Sequence, residues 1–192
     1  MENKNEKILS TRGMVLCAMF TALIAIGAFL RIQLPISPVP YTLQFLFVNL
    51  AGILLGRRRG LIAVGLYIIL GLAGVPIFST GGGFEYIFRP TFGYILGFAL
   101  GAWLAGFISE RGTNSMKTYL IAGFATFIAV FALGLIYCYF ISNFYLATPI
   151  GVKKLLVTGF LYFVPVDVFF VIVSALLAKR LRPIIAKGKA AA

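Results

Sequence analysis

The stretch PTFGYILGFALGAWLAGFIS, residues 90–109, is uncharged and twenty residues long. An α-helix of about 20 apolar residues is long enough to cross the hydrocarbon core of a bilayer. Because backbone groups inside lipid must satisfy their hydrogen bonds within the segment, such a stretch predicts a transmembrane helix. The fold class then follows from how many similar stretches the chain contains.

The rest of the chain has the same apolar character. Of its 192 residues, 61% are hydrophobic and 11% are charged, whereas a soluble domain is about half apolar and about a quarter charged. Five further apolar stretches lie at 13–34, 41–56, 60–78, 118–142 and 155–178. We therefore predict an all-α integral membrane protein whose six transmembrane helices form one bundle.

The predicted bundle occupies residues 13–179. Residues 1–12 are predicted to form a cytoplasmic N-terminal segment, and residues 180–192 a cytoplasmic basic tail. The second apolar stretch is short, and the proline-rich PISPVPY before it, residues 35–41, predicts a turn rather than a helix.

The basic residues indicate how the bundle is oriented. The net charge is +12, and the 17 Lys and Arg residues cluster at the ends of the apolar stretches. With the N-terminus in the cytoplasm, four of them fall on the outer side: Arg31, Arg89, Lys153 and Lys154. This follows the positive-inside rule, so we expect a multi-pass protein of the cytoplasmic membrane with both termini cytoplasmic. Nucleic acid is not an expected partner, because it requires a continuous basic face.

Small residues recur at every fourth position of the opening stretch, at Gly93, Gly97, Gly101 and Ala105. They form one helix face with little side chain, which lets a neighbouring helix approach closely. That neighbour is either another helix of the same bundle or a second copy of the chain. The two cysteines, Cys17 and Cys138, are far apart within apolar stretches and are interpreted as small core residues.

Several catalytic and metal-binding classes are disfavoured by what the sequence lacks. It has no histidine and no G-x-x-x-x-G-K-[ST] motif, which excludes an imidazole-based metal site and a phosphate-cradling ATPase loop. Acid–base catalysis would have to rely on carboxylates without a histidine partner. We expect a protein that is not an enzyme, with no catalytic residues, no metal and no cofactor.

The acidic residue Asp167 lies near the middle of the last apolar stretch, two residues after Pro165. A carboxylate at that depth costs at least a few kcal/mol, so it predicts a functional site. The alternative is a structural hydrogen bond to a neighbouring helix. Pro165 removes a backbone donor and is expected to kink the helix beside the acid.

A second polar group lies in the loop STGGGFEYIFRP, residues 79–90. Its glycines predict a loop that can fold over a cavity as a lid. Glu85 and Arg89 are four residues apart, the spacing of a helical salt bridge. Arg89 matches the geometry of a ligand carboxylate; the alternative is a solvated loop pair of little energetic value.

Two amides complete the candidate polar residues. Gln44 lies one turn into the second stretch, where its amide can both donate to and accept from a neutral polar ligand. A hydrogen bond between helices explains its presence equally well. Asn143 lies at the outer end of the fifth stretch.

Four segments of the chain resemble those of the BioY family in order and spacing. They are PISPVPYTLQF, GLAGVPIFSTGGGF, RPTFGYILGF and VPVDVFF, and the similarity runs from the first apolar stretch to the last. BioY proteins are the biotin-specific substrate-binding subunits, or S components, of energy-coupling factor transporters. The resemblance implies the six-helix S-component fold, with biotin as a transported ligand rather than a cofactor.

The resemblance also implies partners and residue roles. The partners would be a transmembrane coupling subunit, docked on Ala18 and Ala22 of the first helix, and two cytoplasmic ATPase subunits. Asp167, Gln44 and Tyr94 lie within the shared segments and are expected to contact biotin. In this interpretation Asp167 accepts from the urea N–H groups, and Gln44 or Asn143 donates to the urea oxygen.

The carboxylate end of biotin would meet Arg89 and the glycine loop, with Glu85 holding Arg89 when no ligand is bound. Glu85 and Arg89 depart from the family pattern. Three rival functions remain: an S component for another vitamin, a membrane-embedded enzyme acting on lipid, and a small channel. The enzyme would need a second acid or base close to Asp167, and the channel would need a continuous polar stripe.

Overall fold

The computed structural model describes residues 10–32 and 39–190, with side chains as far as Ile185. Seven α-helices form the framework: α1 Thr11–Phe29, α2 Gln44–Leu55, α3 Arg57–Leu72, α4 Phe92–Arg111, α5 Met116–Phe140, α6 Val152–Leu156 and α7 Val164–Ala190. A 3₁₀-helical turn, Phe84–Phe88, precedes α4.

Two π-helical turns extend this framework. Ile141–Tyr145 continues α5, and Val157–Leu161 joins α6 to α7. With α6 and α7 counted as one segment, the six predicted apolar stretches correspond to six helical segments. The last segment differs most from its prediction, because α7 continues through residues 180–190 of the predicted tail.

Four of these segments are long and apolar enough to cross a membrane: Thr11–Phe29, Phe92–Arg111, Met116–Tyr145 and Val152–Ile185. The other two are shorter, with 12 residues in α2 and 16 in α3. Gly56 alone separates them, at a φ of 85° that suits glycine because it lacks a Cβ. The two short helices then fold back on each other, so close that a Cβ on Gly60 would lie 2.9 Å from Gly52 Cα.

The face of small residues on α4 packs inside the bundle. Gly93, Gly97 and Gly101 lie against Tyr137, Val130 and Thr126 of α5. Ala105 is fully buried and faces Gly52 of α2. Of the two interpretations of this pattern, the structure therefore supports internal packing rather than an interface with a second copy.

A buried polar network links the middle of three helices. Asn49 of α2 donates to Ser174 of α7 at 2.7 Å and accepts from Thr126 of α5 at 3.2 Å. All three side chains are fully buried, and each has a partner, as buried polar groups require. Cys17 and Cys138 are buried free thiols, which confirms their interpretation as core residues.

The connection between α1 and α2 closes the bundle at one end. A two-residue antiparallel ladder pairs Arg31–Ile32 with Tyr41–Thr42. Residues 39–43 are not helical, in agreement with the predicted turn, whereas residues 35–38 lie outside the described part. At the other end Arg57 forms an ion pair with Glu110 at 3.3 Å.

Substituting Gly97 by alanine should destabilise the protein, because the new Cβ would lie 2.6 Å from Val130 Cα. We expect a loss of about 1–3 kcal/mol, as for an overpacked core, measured by thermal unfolding in detergent. Gly65 of α3 is the matched control, since nothing lies within 4 Å of a Cβ there. Equal stability of Gly97→Ala and Gly65→Ala would contradict the close α4–α5 packing.

Candidate functional site

A cavity opens at the end of the bundle that carries the α1–α2 connection. It contains about 580 Å³ of space, including its open mouth. Its walls come from α2, α4, α5, the start of α7 with the turn before it, the α1–α2 connection and the segment between α3 and α4. Most of the lining is apolar or aromatic: Phe45, Ile95, Phe98, Val130, Phe131 and Phe163.

Asp167 lines this cavity and is 8% exposed. Its backbone N–H donates to Phe163 O at 2.9 Å, but no described residue donates a hydrogen bond to its carboxylate or forms an ion pair with it. Buried polar groups are nearly always paired within the protein or with a ligand or water. The carboxylate is therefore available to an incoming hydrogen-bond donor.

Pro165 begins a helix at this point. It is the second residue of α7, which follows a turn at Tyr162 and Phe163. A proline in the first helical turn removes no intrahelical bond, because the N–H groups there have no partner in any case. The predicted mid-helix kink is thus replaced by a helix start, which places Asp167 in the first turn of α7, where the helix dipole favours negative charge.

Gln44 is the first residue of α2, is 4% exposed and lines the cavity. Its Nε2 donates to the Tyr67 hydroxyl at 2.7 Å, and its Oε1 accepts from Thr42 at 3.4 Å. The predicted hydrogen bond between helices is therefore present. It also fixes the amide in the cavity wall, while a contact between Gln44 and a ligand stays a prediction.

Tyr94 lines the cavity with its ring, while its hydroxyl donates to Gly159 O at 3.0 Å. Gly159 lies in the π-helical turn before α7. The bond joins α4 to the segment that leads into Phe163 and Asp167. Tyr94 therefore holds the wall that carries the carboxylate, and its hydroxyl is already engaged.

The loop between α3 and α4 lies over the cavity, to which it contributes Ser79, Tyr86 and Thr91. Arg89 lies outside the lining. Its Nη1 donates to Thr80 Oγ1 at 3.1 Å, and its guanidinium lies 5.5 Å from the centre of the Tyr86 ring. Tyr86 thus stands between Arg89 and the cavity.

The expected ion pair between Glu85 and Arg89 is not formed. Both side chains are exposed, and Arg57–Glu110 is the ion pair found among residues 10–32 and 39–185. The reason is the 3₁₀ conformation of residues 84–88, in which side chains three apart, rather than four, lie above one another.

Asn143 also lies outside the cavity lining. Its Nδ2 donates to Tyr139 O at 2.9 Å and to Ile150 O at 3.2 Å, which closes the connection between α5 and α6. Of the predicted ligand contacts, the structure therefore brings together Asp167, Gln44 and Tyr94. It leaves Arg89, Glu85 and Asn143 at the rim or beyond it.

Two features of the site were not singled out from the sequence. Tyr41 stacks on Phe163 with ring centres 4.2 Å apart, which makes a flat aromatic wall beside Asp167. Ser79, Tyr86 and Thr91 form a hydroxyl cluster. Their positions in the sequence could have indicated them, because these residues lie in or next to the segments that carry Gln44, Tyr94 and Asp167.

The cavity is poorly equipped for acid–base catalysis or metal binding. Among its lining residues Asp167 is the one carboxylate, and there is no lysine, arginine or histidine. Across the described residues no group of three or more His, Cys, Asp or Glu could hold a metal ion. The second acid or base that a lipid-modifying enzyme would need beside Asp167 is not in the lining.

Removing the Tyr94 hydroxyl should destabilise the fold, because the buried Gly159 carbonyl would lose its donor. We expect Tyr94→Phe to cost about 1–2 kcal/mol in thermal unfolding. Tyr139→Phe is the matched control, since the Tyr139 hydroxyl makes no hydrogen bond to a described residue. Identical unfolding temperatures for the two variants would show that the bond to Gly159 does not support the wall.

Comparison with known proteins places these features in a family. The BioY family model matches residues 1–187. A probable biotin transporter BioY of Lysinibacillus sphaericus is 40% identical over 182 residues, which cover 94% of this chain and 92% of the relative. The biotin transporter BioY of Thermotoga maritima is 39% identical, over 89% of this chain and 96% of the relative.

The fold leads to the same family. The crystal structure of the S component for biotin from an ECF-type ABC transporter aligns with a TM-score of 0.70 at 28% identity, over 95% of each chain. The family match and the curated relatives span nearly the whole chain, and they agree with the fold. The chain belongs to the BioY family.

Proposed function

We propose that this chain is the substrate-binding subunit for biotin uptake across the cytoplasmic membrane and works with an energy-coupling module. The observation that carries the proposal is the buried Asp167 carboxylate, which faces a cavity and has no donor among the described residues. The proposal is supported by the names of its relatives and by the S-component fold. As in those transporters, the chain is not an enzyme.

The chemistry of biotin suits the walls that surround Asp167. The urea of biotin has two N–H groups, which require acceptors, and Asp167 supplies them. The urea oxygen requires a donor. An amide nitrogen carries two hydrogens, and Gln44 uses one for Tyr67, so its second remains for the ligand. The stacked rings of Tyr41 and Phe163 offer a flat apolar surface to the bicyclic ring.

In this proposal the remaining predicted residues lie at the rim of the cavity or support its walls. Arg89 belongs to the loop that covers the cavity, at the end where the carboxylate of biotin would lie. Glu85 is exposed on the turn before Arg89 and has no ligand contact in this proposal. Asn143 holds the connection between α5 and α6 through its two backbone bonds. Tyr94 is a wall residue.

Transport requires further subunits, which we propose to be a transmembrane coupling subunit and two ATPases. The structural neighbour is a component of an ECF-type ABC transporter. In this chain Ala18 and Ala22 are exposed on α1, on one line with Met14 and Ile26. Their small side chains permit another helix to approach closely, so this face is the proposed docking surface.

The proposed orientation places the cavity on the outer side of the cytoplasmic membrane. Arg57 and Arg111 lie at the opposite end of α2, α3 and α4 from Gln44 and Tyr94. By the positive-inside rule that basic end faces the cytoplasm, and both termini lie there. The cavity then receives its ligand from outside.

Purified protein should bind biotin without nucleotide or partners, because the whole cavity lies within one chain. Asp167→Asn should weaken binding by roughly 1–3 kcal/mol, since it removes the charged acceptor of a buried hydrogen bond. Calorimetric titration measures both affinities. The control is Glu110→Gln, which changes a carboxylate at the far end of the bundle. No binding at micromolar biotin would contradict the proposed function, and unchanged affinity in Asp167→Asn would contradict the role of the carboxylate.

Replacing Ala18 and Ala22 by tryptophan should abolish co-purification with the coupling subunit and leave biotin binding intact. The reason is steric, because close helix approach requires small side chains. Ala132→Trp is the matched control, since this alanine is exposed on α5. Retained assembly in the double variant would show that the docking surface lies elsewhere.

A further inference from the structure

The loop over the cavity contains a chain of hydrogen bonds that starts at Arg89. The guanidinium donates to Thr80 Oγ1 at 3.1 Å. Thr80 Oγ1 donates to the Tyr86 hydroxyl at 3.2 Å, Thr91 Oγ1 donates to the same oxygen at 3.3 Å, and Ser79 Oγ lies 3.1 Å from it. The chain thus runs from an exposed cation to hydroxyls that line the cavity.

The direction of these bonds follows from what each group is able to donate. A guanidinium has only donors, whereas a hydroxyl has one donor and two acceptor lone pairs. Arg89 therefore makes Thr80 an acceptor, and the Thr80 proton goes to Tyr86. With Thr80 and Thr91 both donating to it, the Tyr86 oxygen has no acceptor site left.

Tyr86 must then donate its own proton to Ser79. The Ser79 hydroxyl has no other hydrogen-bond partner among the described residues, and Ser79 lines the cavity. Its proton is therefore the free end of the chain, directed away from Tyr86. A hydroxyl oriented in this way can donate a hydrogen bond to an acceptor in the cavity.

We propose that Ser79 is the residue that donates to the carboxylate of biotin, an inference that rests on the proposed function. Arg89 is a positioning residue that acts on Ser79 through Thr80 and Tyr86 and does not contact the ligand. The same arrangement explains why Arg89 lies behind the Tyr86 ring, 5.5 Å from its centre, and outside the lining of the cavity. Its charge also polarises the chain of hydroxyls, and an anionic acceptor gains from such polarisation.

The arrangement is held rigidly enough to orient a proton. Tyr86 is 2% exposed and packs on Phe78, which is 1% exposed. The loop is attached to α3 by the bond from Gly83 N to Gly71 O at 2.7 Å, and to α5 by a hydrogen bond from the Tyr137 hydroxyl to Ile87 O. Tyr86→Phe keeps the ring in this packing and removes only the link in the chain.

The test is a double-mutant cycle read with two ligands, biotin and biotin amide, whose carboxylate is replaced by a neutral amide. Ser79→Ala should weaken biotin binding by roughly tenfold to a hundredfold, as for the loss of a hydrogen bond to a charged group. The loss for biotin amide should be clearly smaller. Arg89→Ala and Tyr86→Phe should likewise each lose more affinity for biotin than for biotin amide.

The decisive variant is the combination of Ser79→Ala with Arg89→Ala. Because Arg89 acts only through Ser79, the combination should bind biotin no more weakly than Ser79→Ala alone. Ser142→Ala, a buried serine outside the cavity lining, controls for a general effect of losing a hydroxyl. Tyr86→Phe keeps the inference open to test even where the Ser79 variant does not fold.

Two results would overturn this inference and leave the proposed function standing. If the affinity loss of the combined variant equals the product of the two single-variant losses, Arg89 contacts the ligand itself. Equal losses of affinity for biotin and for biotin amide would mean that the chain of hydroxyls does not bind the carboxylate. Failure of the unmodified protein to bind biotin would instead overturn the proposed function, and the inference with it.

Discussion

A carboxylate without a donor, enclosed by apolar walls, is the constraint on which the site depends. Asp167 is 8% exposed, and a buried charge is costly unless a partner compensates it. Asp167 lies in the first turn of α7, where the helix dipole favours negative charge and lowers that cost. In the proposed function, the two N–H groups of biotin compensate the rest of that cost. In that function the same cost disfavours ligands that lack donors, so the buried carboxylate would also give selectivity.

Close helix packing is what keeps this cavity in place. The glycine face of α4 lies against α5, and the network of Asn49, Thr126 and Ser174 fixes α2 and α7 at mid-height. The cavity occupies the end where α2 and α4 begin, and the connections cover it. The bundle below the site is therefore its closely packed support, and the polar groups that line the cavity are supplied by helix starts and loops.

Much of this could be predicted from the sequence, because helices and buried charges follow from local composition. The six apolar stretches, the face of small residues on α4 and the candidacy of Asp167 all have local signals, whereas the internal position of that face was settled only by the structure. The residues that form the walls of the site have no such local signal. Tyr41 reaches Phe163 only through the fold of the whole chain, and the role of Tyr86 depends on three hydroxyls that meet in space. The Glu85–Arg89 pair failed because its prediction assumed α-helical spacing, whereas the turn is 3₁₀.

The most direct test of the central claim is a structure of the protein with biotin bound. We expect the urea ring beside Asp167, with a urea nitrogen at hydrogen-bonding distance, about 2.7–3.2 Å, from a carboxylate oxygen. We also expect the bicyclic ring against Tyr41 and Phe163. A bound biotin whose urea lies away from Asp167, or an Asp167 carboxylate paired with a protein donor in that complex, would contradict the central claim.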